Sequence, residues 1–174
     1  GTNVKLTIKR EKKKKNIEKT LTREEIKIPA VAYSGVIGDG TIGYIRLSSF
    51  TENCAQEVKD AFLKLKTENN IKSLALDLRG NPGGLLNEAV NLVNLFVTKG
   101  TDVVHTRGKV KEWDKEYKAL NSAVDTDMPI AVLVNSGSAS ASEIVSGSIQ
   151  DLDRGIIIGQ RTFGKGLVQT TRPL

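Results

Sequence analysis

Two short, almost wholly apolar runs constrain this chain most: Ser73-Leu74-Ala75-Leu76-Asp77-Leu78 and Pro129-Ile130-Ala131-Val132-Leu133-Val134. Runs of this length without polar alternation fit strands of a parallel sheet covered by helices. Each leads directly into a turn of small residues and then into a segment with apolar residues at helical spacing. After the first come Arg79-Gly80-Asn81-Pro82-Gly83-Gly84 and a predicted helix over 85–97, with Leu86, Ala89, Val90, Val93 and Phe96 on its inner side. After the second come Asn135–Ala139 and a helix with Ala141, Ile144, Val145 and Ser148 on one face. Alternating strands and helices predict an α/β layer with a largely parallel sheet, whose right-handed crossovers bring the turns to one edge. Ligands of such sheets bind at the carboxyl ends of strands, so Gly80–Gly84 and Asn135–Ala139 should lie side by side at the candidate site.

The same reading extends along the chain. Val4, Leu6 and Ile8 alternate like a strand, and Ile26-Lys27-Ile28-Pro29-Ala30-Val31 alternates weakly, predicting a second one. The Asp39-Gly40 turn precedes a strand over 41–47, and Val58, Ala61, Phe62 and Leu65 predict a helix over 52–69 that Asn69-Asn70 ends. Val103-Val104-His105 and Gly155–Gly159 are further strands. Residues 107–127 are charged and irregular, with Trp113 and Tyr117 as their large anchors.

Charge excludes less than it first suggests. The net +6 of these 174 residues arises in residues 1–28, which hold ten Lys/Arg against four Asp/Glu; residues 29–174 hold sixteen of each. The excess centres on Lys12-Lys13-Lys14-Lys15, read as a solvated turn or linker, so no nucleic-acid partner is implied. No window approaches the ~18 apolar residues of a membrane span, and a single cysteine, Cys54, excludes an internal disulfide. The phosphate-loop spacings and metal-ligand spacings are absent, so neither a nucleotide nor a metal cofactor is expected.

With one histidine, His105, and one cysteine, the usual activated nucleophiles are poorly supplied, whereas serine with lysine is available. Six serines crowd positions 136–148, in a strand–turn–helix context where a hydroxyl meets the free N–H groups of a helix start. Ser138 or Ser140 could equally cap that helix, and spacing does not choose among the six. Gly80–Gly84 is either a turn requiring positive φ or backbone aimed at an oxyanion. Lys165 sits between Gly164 and Gly166 with Phe163 and Leu167-Val168 beside it. Burial among apolar residues favours a neutral amine, which can accept a serine proton.

Three blocks in this order resemble the carboxy-terminal processing peptidases, or tail-specific proteases: Leu76-Asp77-Leu78-Arg79-Gly80-Asn81-Pro82-Gly83-Gly84, Val134–Ile144 with its Ser-Ala-Ser-Glu core, and Gly159–Gly166 with Gln169. The resemblance covers residues 38 to 170. It implies a crotonase/Clp-protease-like layered βαβ core over 38–174, preceded by the last strand of a PDZ domain at 1–10 and a basic linker with an edge strand at 11–37. It implies a serine endopeptidase that cleaves proteins near their C-terminal tails, with Ser140 as nucleophile, Lys165 as general base and Gln169 orienting the lysine. The oxyanion hole would use the N–H of Ala141 with that of Gly83 or Gly84, and Asp151 would give structural support. No cofactor is implied, and the expected compartment is the bacterial cell envelope or periplasm. Gly1–Arg10 and the end at Leu174 suggest a core truncated on both sides, so a non-catalytic scaffold with the same fold is the alternative. A crotonase-type acyl-CoA enzyme is a further one, against which the Ser140 and Lys165 pairing speaks.

Overall fold

The computed structural model of the protein describes residues 1–11, 15–24, 26 and 28–169. In chain order its strands and helices are β1 (Asn3–Ile8), β2 (Ile17–Thr22), β3 (Val31–Ile37), β4 (Ile42–Leu47), α1 (Cys54–Asn69), β5 (Ser73–Asp77) and α2 (Leu86–Asn94). There follow β6 (Asp102–Thr106), a 3-10 turn at Lys111–Trp113, β7 (Lys115–Lys118), β8 (Ile130–Val134), α3 (Ala141–Asp151) and β9 (Ile156–Gly159).

The central sheet has the order β3-β4-β5-β8-β9. Its last four strands run parallel, and β3 joins the edge antiparallel to β4. The fold is therefore mixed α/β with a mostly parallel sheet. Apolar side chains alternate on the inner face, as in Ile45 and Leu47 of β4 and Ile130, Val132 and Val134 of β8, all buried. Against that face α1 packs on α2 and α2 on α3, forming one helical layer. Val58, Phe62 and Leu65 of α1, Leu92 and Val93 of α2, and Val145 and Ile149 of α3 close the core. Phe62 and Phe96 meet edge to face with centroids 5.4 Å apart.

Asparagine and glycine chemistry ends both of the first two helical segments. Asn70 takes the left-handed conformation that stops α1, and Gly100, at φ +91°, turns the chain after α2. Arg154 donates to the carbonyl oxygens of Phe96, Met128 and Asp125, tying the end of α2 to the approach to β8.

Three expectations need correction. Of the segment 26–31, the described residues 26 and 28–30 lie outside any strand. Instead β2 at 17–22 pairs antiparallel with β1, and β3 begins at Val31. Pro29 lacks the N–H a ladder needs, so the pairing segment starts after it. The predicted helix over 85–97 is regular only to Asn94, beyond which the Leu95 and Phe96 N–H groups bond three residues back, to Leu92 and Val93. The irregular 107–127 region supplies β7, which pairs antiparallel with the expected strand at 102–106, and Trp113 is 56% exposed. Lys12–Lys14 of the lysine run lie outside the described residues.

Phe62→Ala removes one ring of the aromatic pair from the middle of the helix–sheet interface. It should cost about 3–5 kcal/mol of unfolding free energy, read from the urea midpoint at unchanged slope. A loss under about 1 kcal/mol, the size of a surface substitution, would show that the helical layer does not depend on that pair.

Candidate active site

Parallel neighbours β5 and β8 end at the same level, so their two turns meet as expected. Side chains then stitch them together. The Ser138 hydroxyl donates to the Leu78 carbonyl at 2.7 Å, the Ser142 hydroxyl to the Asn81 carbonyl at 2.9 Å, and the Ala139 N–H to that same carbonyl at 3.1 Å. Asn135 Oδ1 accepts the N–H groups of Gly80 and Gly137. Asn81 is fully buried; its amide donates to the Leu47 carbonyl while its Oδ1 accepts the Gly83 N–H at 2.9 Å.

These bonds sort the six serines. Ser138, Ser142, Ser146 and Ser148 each donate a hydroxyl to a backbone carbonyl and are buried. Ser136 is exposed within the turn. Ser140, half-buried, stands immediately before α3 with φ 56° and ψ −113°, a backbone state costly for any residue with a side chain. Strand, strained serine and helix start together have the shape of a nucleophile elbow.

The elbow is held from two sides. Its N–H donates at 2.8 Å to Oε2 of Glu143, three residues into the helix. Across from it lies Gly83, at φ +99°; a Cβ there would fall 2.7 Å from Ser140 Cβ and 2.9 Å from the Ala141 nitrogen. Glycine therefore keeps open the space in front of the helix start. Gly84 pairs with Phe50 in an isolated bridge, in which the Gly83 carbonyl and the Leu85 N–H point toward Phe50. By the alternation of extended backbone, the Gly84 N–H points away from Phe50. Among the described residues the N–H groups of Gly84 and Ala141 have no hydrogen-bond acceptor, whereas that of Gly83 is taken by Asn81.

Lys165 is half-buried in the irregular segment after β9, and its backbone N–H donates to Glu143 Oε2 at 3.0 Å. Gly164 N–H and the Thr162 hydroxyl donate to Oε1 of the same carboxylate. The structure thus brings the backbones of Ser140 and Lys165 onto one side chain, although no hydrogen bond joins the Ser140 hydroxyl to the Lys165 amine. Gln169, the last described residue, is exposed and makes no hydrogen bond to Lys165. Asp151 ends α3 and is exposed.

Two carboxylates flank the site, and both are held below the ordinary range. For Glu143, burial works against the charged form, but the N–H of Lys165, the Thr162 hydroxyl and the N–H groups of Gly164 and Ser140 outweigh it. For Asp77, burial is likewise outweighed by the Arg79 guanidinium, the Tyr44 hydroxyl and the Arg79 N–H. Asp77 so fixes the first residue of the glycine turn. Asp77, Asn81, Asn135 and Glu143 stand within the sequence motifs, where neither spacing nor resemblance marks a role at the site for them. Only Glu143 had a legible signal, the Ser-x-x-Glu of a capping box.

The signature of Peptidase family S41 matches residues 41–174. Over 99% of its length the chain is 43% identical to a "Probable CtpA-like serine protease" of Staphylococcus epidermidis (strain ATCC 12228 / FDA PCI 1200), covering 34% of that protein. It is 40% identical to the protein of the same description in Staphylococcus aureus (strain COL), again over 99% of the chain and 34% of the relative. The chain spans about a third of the length of the curated relatives it matches. In three dimensions it resembles a photosystem II D1 C-terminal processing protease, with TM-score 0.69 and 34% identity over 89% of this chain and 42% of that one. With that matched signature, these relatives and a strained serine elbow facing a glycine turn, the chain belongs to peptidase family S41.

Proposed function

We propose that the protein is a serine endopeptidase that cleaves substrates near their C-terminal tails, with Ser140 as nucleophile and Lys165 as general base. The observation that carries this reading is the positive-φ Ser140 at the start of α3, whose backbone shares the Glu143 carboxylate with that of Lys165. The neutral Lys165 amine takes the Ser140 proton as Oγ bonds to the scissile carbonyl carbon. Negative charge on the carbonyl oxygen is met by the free N–H groups of Ala141 and Gly84 at the positive end of α3. The C–N bond then breaks, and the leaving nitrogen takes the proton from Lys165. Water attacks the ester, passing one proton to Lys165, which returns it to Ser140 as the acid departs.

Gly84 rather than Gly83 is the proposed second donor, because Asn81 Oδ1 already accepts the Gly83 N–H. Gly83 serves by having no side chain. The role of Gln169 in orienting the lysine, capture of substrate tails by a PDZ domain ending near residue 10, and a place in the cell envelope rest on the family resemblance and complete the proposal. Membership of family S41 displaces the acyl-CoA alternative. A non-catalytic binding role is the second reading, favoured by the missing hydrogen bond between the Ser140 and Lys165 side chains.

A fluorophosphonate probe separates the two. Ser140 of the folded full-length protein should label, and Lys165→Ala should lower both labelling and tail cleavage by about 10²–10⁴-fold without changing the unfolding midpoint. A folded protein whose Ser140 stays unlabelled would leave only the binding role. Gly83→Ala, which places a methyl against Ser140 and the Ala141 N–H, should slow labelling about 100-fold; an unimpaired rate would remove Gly83 from the site.

A further inference from the structure

We infer that Glu143 is a positioning residue: its carboxylate clamps the 162–165 segment onto the Ser140 elbow and so sets where Lys165 stands relative to the nucleophile. This rests on the catalytic reading of Ser140 and Lys165 given above. Each carboxylate oxygen accepts two donors. Oε1 takes the Thr162 hydroxyl at 2.8 Å and the Gly164 N–H at 2.6 Å, and Oε2 takes the Ser140 N–H at 2.8 Å and the Lys165 N–H at 3.0 Å. One donor comes from the elbow and three from the lysine segment, so the side chain bridges two stretches far apart in sequence.

The lysine segment has few other attachments. Residues 161–169 form no helix or strand, and Gly164 and Gly166 both adopt positive φ with open space where a Cβ would stand. Beside the Glu143 bonds, the backbone tie of this segment is the Phe163 N–H to the Ser138 carbonyl at 3.0 Å. With so little else to fix it, the placement of Lys165 follows Glu143. Among the described residues no cation forms an ion pair with this carboxylate, and its partners are the four donors already named.

A role as helix cap alone would use only the bond to Ser140. The other three bonds do nothing for α3 and are made to the segment that carries the base. Four donors need the acceptor capacity of an ionised carboxylate. Glutamine offers one oxygen and would turn an NH₂ group toward two N–H donors, so the isosteric amide should open the clamp while keeping the size of the side chain.

The test compares the full-length protein with Glu143→Gln and Thr162→Val. Three quantities are read: the fluorophosphonate labelling rate at Ser140, kcat and KM on a tail-tagged peptide, and amide hydrogen exchange at Gly164 and Lys165. Glu143→Gln should lower labelling and kcat about 100-fold, as expected for a misplaced base, with KM within about twofold and faster exchange at both amides. Thr162→Val, which removes one donor of four, should give a smaller change of the same sign, and it carries the test if Glu143→Gln does not fold. Unchanged exchange, or labelling within about twofold of the parent by every variant that folds, would overturn the clamp. A parent protein that itself fails to label would sink the Ser140 assignment instead, and the exchange data would still decide whether Glu143 holds the segment.

Discussion

The Leu78 N–H donates to the Leu133 carbonyl and so carries the β5–β8 ladder one residue past the end of β5, to the point where the chain leaves for its glycine turn. Everything at the site depends on that parallel register. With it, the Leu78 carbonyl is left for the Ser138 hydroxyl, and the Asn81 carbonyl for Ser142 and the Ala139 N–H. A shift of one residue would turn Leu76 and Val132 out of the core and part both turns from their partners. Two asparagines act in the same direction. Asn81 joins the glycine turn to β4 and Asn135 joins it to the serine turn, so three strand ends form one rigid edge.

On that edge the chain accepts one expensive conformation. Holding Ser140 at positive φ costs about 1–3 kcal/mol, comparable with one or two hydrogen bonds to a charged acceptor. Glu143 supplies such a bond to the Ser140 N–H, and the missing Cβ at Gly83 removes the obstacle opposite. The strain is thus stored where surrounding structure overdetermines it, which keeps the Ser140 side chain at the helix start instead of folded into the turn as Ser138 is.

Sequence periodicity revealed the elements whose apolar pattern is dense: α1, β5, β8, α3 and β9 lie where the spacing of Val58, Phe62, Leu65 and the two apolar runs puts them. It failed where pairing depends on backbone alone. The strand at 17–22 reads Ile-Glu-Lys-Thr-Leu-Thr, largely exposed, and only its antiparallel partner β1 makes it a strand. At the site, the serine-rich segment was legible as a helix start, yet spacing left its six hydroxyls equivalent and only the family resemblance singled out Ser140. Tertiary contacts do most of the sorting: Ser138, Ser142 and Ser148 find carbonyl partners at the glycine turn or on β6, Ser146 bonds within its own helix, Ser136 is exposed, and the strained Ser140 is left at the opening. Asn81 and Asn135 read as ordinary turn formers because nothing local shows that their side chains reach the Leu47 carbonyl of β4 and the Gly80 N–H of the glycine turn.

The two lowered carboxylates make the site acid-sensitive from both ends by one physical rule. A group whose folded value lies below its unfolded value contributes stability in full above the unfolded value, and loses it as pH falls through the folded one. Asp77 and Glu143 are both such groups, although burial opposes the charge on each. Protonating Asp77 loosens Arg79 and the entry to the glycine turn; protonating Glu143 frees the lysine segment from the elbow. Neither event touches the apolar contacts of the helical layer, where Phe62, Leu92 and Ile149 carry no titrating group. Below the ordinary carboxylate range the edge that assembles Ser140, Gly83 and Lys165 should therefore come apart while the sheet and its helices still stand.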